Sequence, residues 1–447
     1  MQLSRFVVPY EHVRPGEHVL YSVLNDRYVG LDDATMQAIG RWKEGVPPAD
    51  ADERQTRDVL LEDGFLVEDR GVDDRRLRAH LDRANDGEPG MLYVTLMPTL
   101  QCNLACTYCF QKDFPAFTKM PSHTEDATLE WILRVVDERG LRDLVVHYFG
   151  GEPTTRKEFC LRTAKVLDSA MKARGGTFRW QMTTNGILLD LPFAKEMEQF
   201  GKGSFKVTLD GDKESHDQGR VYRDGRGSFD VIYDNVVSLA KNGVRVYVGG
   251  NFRPEEAASY ERLLDRMETD GVARLLTGVN FKPVVAEKTA CTDCRSHDQA
   301  EAQTLVQLNK SIERRKMVSP AFKGETLEGM LGPCELHWKN SYTIDPEGRV
   351  YKCPAVAGLP GMEVTKVAAR EAEKIAPLLE LRPWEKCGDC AFMPVCVGGC
   401  LASEFIATGR RDQVSCRKEA FETSFRETIQ KRYVAEFPVD GFLGVTQ

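Results

Sequence analysis

Cys102, Cys106 and Cys109, in the run Cys102-Asn-Leu-Ala-Cys106-Thr-Tyr-Cys109-Phe, bring three thiols onto one short loop. Three thiolates at this spacing can hold three irons of a cubane iron–sulfur cluster. With no fourth cysteine nearby, one iron stays open to an outside ligand. A structural cluster or a zinc site, closed by a fourth ligand from elsewhere, is the blander use of the same residues. The chain holds 13 cysteines in 447 residues. Seven more fall between 334 and 416, Cys291 and Cys294 form a pair, and Cys160 stands alone. An odd number, grouped at chelating distances, does not read as a disulfide framework, and metal is the natural alternative in a reducing cytoplasm.

These residues need a frame. From Met91 the pattern becomes strands alternating with amphipathic helices, the mark of parallel βα units. Six strands are predicted, near Leu92–Leu96, Leu144–Tyr148, Phe178–Met182, Phe205–Leu209, Val244–Val248 and Val279–Pro283. Leu129, Ile132, Leu133 and Val136 repeat at helical spacing, with Thr124 placed to cap the start and Gly140 to end it. A second helix puts Phe229, Ile232, Val236 and Leu239 on one face before Gly243. Six units without the length for eight predict an open, partial (β/α)6 barrel of TIM type over 91–315, with its site at the C-terminal strand ends.

Residues 1–85 read as a small α+β module whose middle strands turn at Asn25-Asp26. Charged Asp82 to Gly90 reads as a linker. Beyond about Gly332 the sequence is rich in Cys, Gly and Pro until a last helix near Arg417 to Tyr433, so 330–435 is expected to be held by metal more than by a core. A net charge of −8 leaves no broad basic face, which argues against nucleic acid. Arg5, Glu11, Arg14 and Glu17 interrupt any apolar signal segment, and no stretch stays apolar long enough to span a bilayer. A cytoplasmic protein with no membrane partner is expected.

The Cys102 loop resembles the radical S-adenosylmethionine (SAM) superfamily, and the likeness extends along most of the chain. Gly150-Gly151-Glu152-Pro153 ends the second strand, where that family uses glycines for close backbone approach and the carboxylate for the methionyl ammonium of SAM. Thr184-Asn185-Gly186 and Thr208-Leu209-Asp210-Gly211 fall at the next two strand ends. Arg220 matches an arginine aimed at the SAM carboxylate or ribose, and Tyr108 sits where backbone or ring would lie near adenine. Asn-Gly and Asp-Gly are also ordinary turns, and an arginine is often only a surface charge. The resemblance thus implies Tyr108, Gly150, Gly151, Glu152, Asn185, Thr208 and Arg220 as cofactor residues around a [4Fe-4S] cluster.

Cys334, Gly348 with Cys353, then Cys387-x2-Cys390-x5-Cys396-x3-Cys400 and Cys416 resemble the SPASM domain of one branch of that family. By resemblance, Cys387, Cys390, Cys396 and Cys416 close one auxiliary cluster. Cys334, Cys353 and Cys400 hold the other with a fourth place to fill, and both are expected as [4Fe-4S]. Cys291 and Cys294 lie outside this pattern and fit an added cluster ligand, a redox pair or core thiols alike. Cys160 is read as a core residue.

The branch implies a peptide or protein maturase fed by a flavodoxin- or ferredoxin-type donor. The leading expectation is an intramolecular crosslink, thioether or carbon-centred, in a ribosomally made precursor peptide. The first module would be a winged-helix element gripping the leader by strand addition. Formylglycine formation on a sulfatase is the second expectation. It is weakened because those enzymes carry an aspartate base where Pro354 stands, and proline cannot accept a proton. A non-catalytic electron-transfer protein is the third, but it would have no use for an open iron beside Gly-Gly-Glu.

Overall fold

The computed structural model describes residues 1–109, 111, 119–284, 294–317, 333–369 and 373–437. After β1 (Gln2–Leu3) come β2 (Val7–Arg14), β3 (Glu17–Ser22) and β4 (Arg27–Asp32), an antiparallel sheet in that order. The expected hairpin forms: Ser22 pairs with Arg27, and Asp26 takes the left-handed conformation at φ 50°. Helices α1 (Asp33–Lys43) and α2 (Ala51–Glu62) start on the carboxylate caps of Asp32 and Asp50. Next, β5 (Leu66–Val67) pairs back to β1. Helix α3 (Arg70–Asp86) then runs into the stretch expected as a linker. Leu77 and Leu81, one turn apart, pack on the core, and the buried Asp73 accepts from Ser4 Oγ at 2.7 Å and Arg5 N at 2.9 Å.

The barrel follows the expected order. Its strands are β6 (Met91–Leu96), β7 (Asp143–Tyr148), β8 (Thr177–Thr184), β9 (Lys202–Thr208), β10 (Val246–Phe252) and β11 (Gly278–Pro283), all parallel. Between and after them lie α4 (Ser122–Arg139), α5 (Lys157–Ala173), α6 (Leu191–Met197), α7 (Lys213–Gly219), α8 (Phe229–Lys241), α9 (Ala257–Thr269) and α10 (Cys294–Arg314). Alternate strand residues such as Leu144, Val146, Trp180, Phe205, Val207 and Val248 pack outward on Ile132, Leu167, Ile232 and Leu263 in one core. The other residues of each strand face the lumen and are largely polar.

One detail corrects the sequence reading. Helix α4 starts at Ser122, and Thr124 lies inside its first turn, donating its N–H to Pro121 O at 3.0 Å. Pro121 pre-sets the entry, so no side-chain cap is used. Gly140 ends the helix in the left-handed conformation as expected.

The C-terminal region does not begin a separate sheet. Strand β12 (Ser341–Ile344) pairs in parallel with β6, and β13 (Arg349–Tyr351) and β14 (Thr365–Lys366) extend the same sheet to nine strands. Short α11 (Met393–Cys396), α12 (Leu401–Thr408) and long α13 (Lys418–Glu436) complete it. Nor does the first module stand apart: Tyr10, Val19, Tyr21 and Tyr28 share a core with Phe392, Val395, Phe425 and Tyr433. No helix among the described residues is long and apolar enough to cross a membrane. Cys291 lies outside the described residues, and Cys294 is described only as the first residue of α10.

Candidate functional site

The cysteine loop leaves the end of β6 and is stitched down on both sides. On one, Gly151 N–H donates to Thr99 O at 3.0 Å and Glu152 N–H to Gln101 O at 2.8 Å. A side chain on Gly150, whose φ is 121°, or on Gly151 would run into the Thr99 and Gln101 carbonyls. These glycines therefore let the end of β7 lie against the loop that carries the cysteines. On the other side, Ala105 and Thr107 donate their N–H groups to Val221 O at 2.8 Å and Gly219 O at 3.0 Å. The Arg223 guanidinium reaches Cys102 O at 3.2 Å.

Glu152 is 1% exposed. Its Oε1 accepts from Thr154 N at 3.0 Å, Thr154 Oγ1 at 2.6 Å and Thr184 Oγ1 at 2.6 Å, and its Oε2 accepts from Asn185 N at 2.7 Å. Burial raises its pKa, and these donors oppose the rise. Oε2 keeps one acceptor position of the roughly four that a carboxylate offers. Asn185 is held by that bond, donates to Asn103 Oδ1 at 2.7 Å and comes within 3.6 Å of Cys102 Sγ. One carboxylate thus ties the ends of β7 and β8 to the first cysteine.

Behind the loop lies a second buried network. Tyr108 donates its hydroxyl to Asp210 and accepts from Arg220 at 2.7 Å and Asn251 Nδ2 at 3.4 Å. Asp210 also accepts from Asn251 N at 2.7 Å and lies 3.6 Å from Arg220. Arg220 is 7% exposed, so it is no surface charge, and its Nε has no partner among the described residues. Its carbonyl takes the Ser228 hydroxyl at 2.6 Å, and Ser228 meets His216 Nε2 at 3.0 Å. The Asp210 N–H donates to His216 Nδ1 at 3.2 Å, which makes Nε2 the proton-bearing nitrogen. Burial, then the Arg220 charge, pushes the His216 pKa down to about 3, so the ring is neutral.

The thiols fall into three electrostatic sets. Burial, then Glu152, raises Cys102 to about 12, with Cys106 and Cys109 adding to it. Burial raises Cys353 to about 12, followed by Cys400 and Cys334 among the charges. It raises Cys396 to about 12 as well, where Cys387, Cys390 and Cys416 act. Metal must displace protons from such thiols, so loading is coupled to deprotonation. A single zinc would draw its sulfurs to about 3.8 Å apart, given Zn–S bonds of about 2.3 Å. Among the described residues, the only three candidate ligands with all donor atoms within 4.8 Å of one another are His12, His18 and Asp33.

Residues 96–266 match the family model of the Radical SAM superfamily. The chain contains a radical SAM domain. That domain runs from the end of β6 into α9 and encloses the whole Cys102 network. Among curated proteins, an Fe-coproporphyrin III synthase of Methanosarcina barkeri is 24% identical over 208 residues, 46% of this chain and 47% of that protein. The chain thus spans about half the length of that relative. A cysteine-type anaerobic sulfatase-maturating enzyme of Clostridium novyi is 23% identical over 366 residues, covering 75% of this chain and 94% of that one. Of solved structures, native anSMEcpe with bound AdoMet superposes at TM-score 0.60 and 19% identity, over 76% of this chain and 99% of that one. Streptococcus suis SuiB bound to precursor peptide SuiA superposes at 0.53 and 14%, over 93% and 99%. These likenesses show a common fold.

Around this radical SAM domain the structure gathers Cys102, Cys106, Cys109, Tyr108, Gly150, Gly151, Glu152, Asn185 and Arg220. Thr208 ends β9 opposite Gly249. Cys160 is buried in the core, as read from its helix. Sequence reasoning missed Asn251, Ser228, Thr184 as a Glu152 donor, and Arg223. Asn251 had a signal in the preceding Gly249-Gly250, since paired glycines inside a strand mark a close approach. A Cβ on Gly250 would lie 2.5 Å from Leu209 O.

Proposed function

We propose that the protein is a radical SAM maturase that takes hydrogen from a residue of a ribosomally made peptide and installs an intramolecular crosslink. One observation carries the reading: a three-cysteine loop clamped between Gly151-Glu152 and Gly219-Arg223 opens onto a polar barrel lumen. The likeness over 93% of the chain to a structure bound to its precursor peptide supports the substrate class. Cys102, Cys106 and Cys109 would hold the [4Fe-4S] cluster. The free position of Glu152 Oε2 would take the methionyl ammonium of SAM. Tyr108, Asn185, Thr208 and Arg220 would line the rest of the cofactor, with Gly150 and Gly151 keeping the loop in place. When bound, cluster and SAM supply the 5′-deoxyadenosyl radical.

Cys387, Cys390, Cys396 and Cys416, and separately Cys334, Cys353 and Cys400, would hold auxiliary clusters reached by a flavodoxin- or ferredoxin-type donor. Edge strand β4 would accept the leader as an added strand. The 94% coverage of a sulfatase-maturating relative favours formylglycine formation as the second reading, against which stands Pro354.

The test is anaerobic turnover of reduced, reconstituted enzyme with precursor peptides encoded beside its gene and with a sulfatase-derived Cys or Ser peptide. A product lighter by two hydrogens, inert to aldehyde reagents and silent to fragmentation across the bridge, is the expected outcome. An aldehyde-reactive product from the sulfatase peptide alone would replace the crosslink with the second reading.

A further inference from the structure

The lumen face of the barrel holds two cations that nothing in the cofactor network uses. On β9, Phe205 and Val207 pack outward, so Lys206 between them points inward. On β11, Phe281 packs outward and Lys282 follows it. Both bear electrostatically on the half-buried ring of His147, whose Nε2 is hydrogen-bonded to Thr183 Oγ1 at 2.8 Å. Among the described residues neither ammonium has a hydrogen bond or an ion pair. Glu335 feels the Lys282 charge, and among the described residues the two form no ion pair.

The strands are shaped to this arrangement. Gly249 on β10 leaves the space for the Lys206 stem, since a Cβ there would lie 2.6 Å from Lys206 Cε. Lys282 is the register partner of Asn251, which belongs to the Tyr108 network. Lys206 lies two residues, about 6.6 Å, below Thr208 at the strand end. In register Lys206 stands level with Tyr247 and Lys282 level with Asn251, so the two stems enter the lumen at different heights from β9 and β11, on the side where Asn251 joins the Tyr108 network.

We propose that Lys206 and Lys282 form a binding subsite for a carboxylate of the substrate, so that an acidic residue is drawn beneath the Cys102 loop. Lys206 is half-buried and Lys282 is exposed on β11, the edge strand of the open sheet, and their like charges repel. A ligand carboxylate placed between them relieves that repulsion and gains charge-assisted hydrogen bonds. In keeping with this, burial and then Lys282 lower the Lys206 pKa to about 8. The neutral His147, lowered to about 4 mainly by burial, supplies a polar wall with no competing charge.

The occupant rests on the peptide reading, so the experiment separates the two. Reconstituted holoenzyme is titrated calorimetrically with Ac-Gly-Gly-Glu-Gly-Gly-NH2, its Gln counterpart, a Gln peptide with a free C-terminal carboxylate, and glutarate. The Glu peptide should bind on the order of tenfold more tightly than the Gln peptide. That preference should vanish in Lys206→Met and Lys282→Met and survive in Lys206→Arg, with iron content unchanged in all three. If only the free C-terminus confers binding, the subsite stands and its carboxylate is the chain end. If glutarate binds and no peptide does, the subsite stands and the peptide reading falls. Equal binding of Glu and Gln peptides overturns the subsite while leaving a peptide substrate. Unchanged binding with altered iron content or cluster potential in Lys206→Met also overturns it, and assigns the lysines to balancing cluster charge.

Discussion

The two cysteine-bearing regions are built in opposite ways. The Cys102 loop is held by backbone hydrogen bonds to the 150–152 and 219–221 segments, and the glycines beside it admit no side chain. Its frame is a six-stranded barrel with a continuous apolar core. The region from Cys387 to Cys416 has a five-residue 3-10 turn, a four-residue helix and an eight-residue helix for support, and Cys400 and Cys416 are exposed. The first site is organised by the fold before any ligand arrives. The second rests on short elements that pack Phe392, Val395, Val397 and Leu401 into the neighbouring cores, and a ligand on its thiols would tie those elements together.

The largest expected contrast follows from removing metal. Chelation, or replacement of Cys387, Cys390, Cys396 and Cys416 by Ala, should make the 380–416 stretch sensitive to protease while the barrel stays resistant. Replacement of Cys102, Cys106 and Cys109 by Ala should abolish 5′-deoxyadenosine formation and remove one cluster's iron, yet shift the melting temperature little. Limited proteolysis and iron analysis read both arms, and equal protease resistance of the two regions would break the contrast.

Deleting residues 1–85 should be nearly as damaging. It strips Tyr10, Tyr21 and Tyr28 from Phe425 and Tyr433, leaving α13 without its core. The truncated protein should aggregate or lose iron from the C-terminal cysteines first. A soluble truncation with full iron would show that the module is detachable.

Glu152→Ala comes next. It strands the Thr154 and Thr184 hydroxyls and the Asn185 N–H in a buried place, at about 3 kcal/mol of stability, together with weakened SAM binding. Calorimetry of unfolding and a SAM binding isotherm check the two effects. Normal stability would mean that the site does not depend on this carboxylate for its shape.

Two finer tests sharpen the picture of a preorganised site. Tyr108→Phe should cost about 1 to 2 kcal/mol by removing the hydroxyl that joins Asp210, Arg220 and Asn251. For His216, the folded pKa lies below the ordinary value, so its neutral form is fully accommodated above about pH 6.5. Stability is then lost as pH falls toward 3, because the unfolded chain takes up the proton first. The slope is at most about 1.4 kcal/mol per pH unit. His216→Asn should flatten the dependence of melting temperature on pH between 6.5 and 4, and an unaltered slope would show that other groups carry it.

Much of this was legible in the chain. The six strands and the Cys102 loop follow from periodicity and spacing, which are local signals. The Gly150-Gly151 pair announced a close approach, although not that its partner is the cysteine loop itself. What stayed hidden depends on contacts across long stretches of sequence. The resemblance singled out Arg220, but not its hydrogen bond to Tyr108, more than a hundred residues earlier. Lys206 belongs to no motif, and only the curl of the sheet turns its side of β9 toward the lumen. Asp82 to Gly90 reads as a linker because it is charged, whereas the leucines that dock the helix it belongs to, Leu77 and Leu81, come just before it.

The pairing of the first sheet with the last helix sets an order on biosynthesis. Tyr28 binds Glu436, Asp26 binds Arg432 at 2.9 Å, and Tyr433 reaches Glu17 at 3.3 Å. The sheet leaves the ribosome early and must keep its aromatic face uncovered until α13 emerges nearly four hundred residues later. At about 5 to 20 residues per second that wait is on the order of 20 to 80 seconds. Cys390 and Cys396 pack on the same late-forming core. Any metal that these thiols take up would therefore enter only once α13 has been made, whereas the barrel can present the Cys102 loop before then.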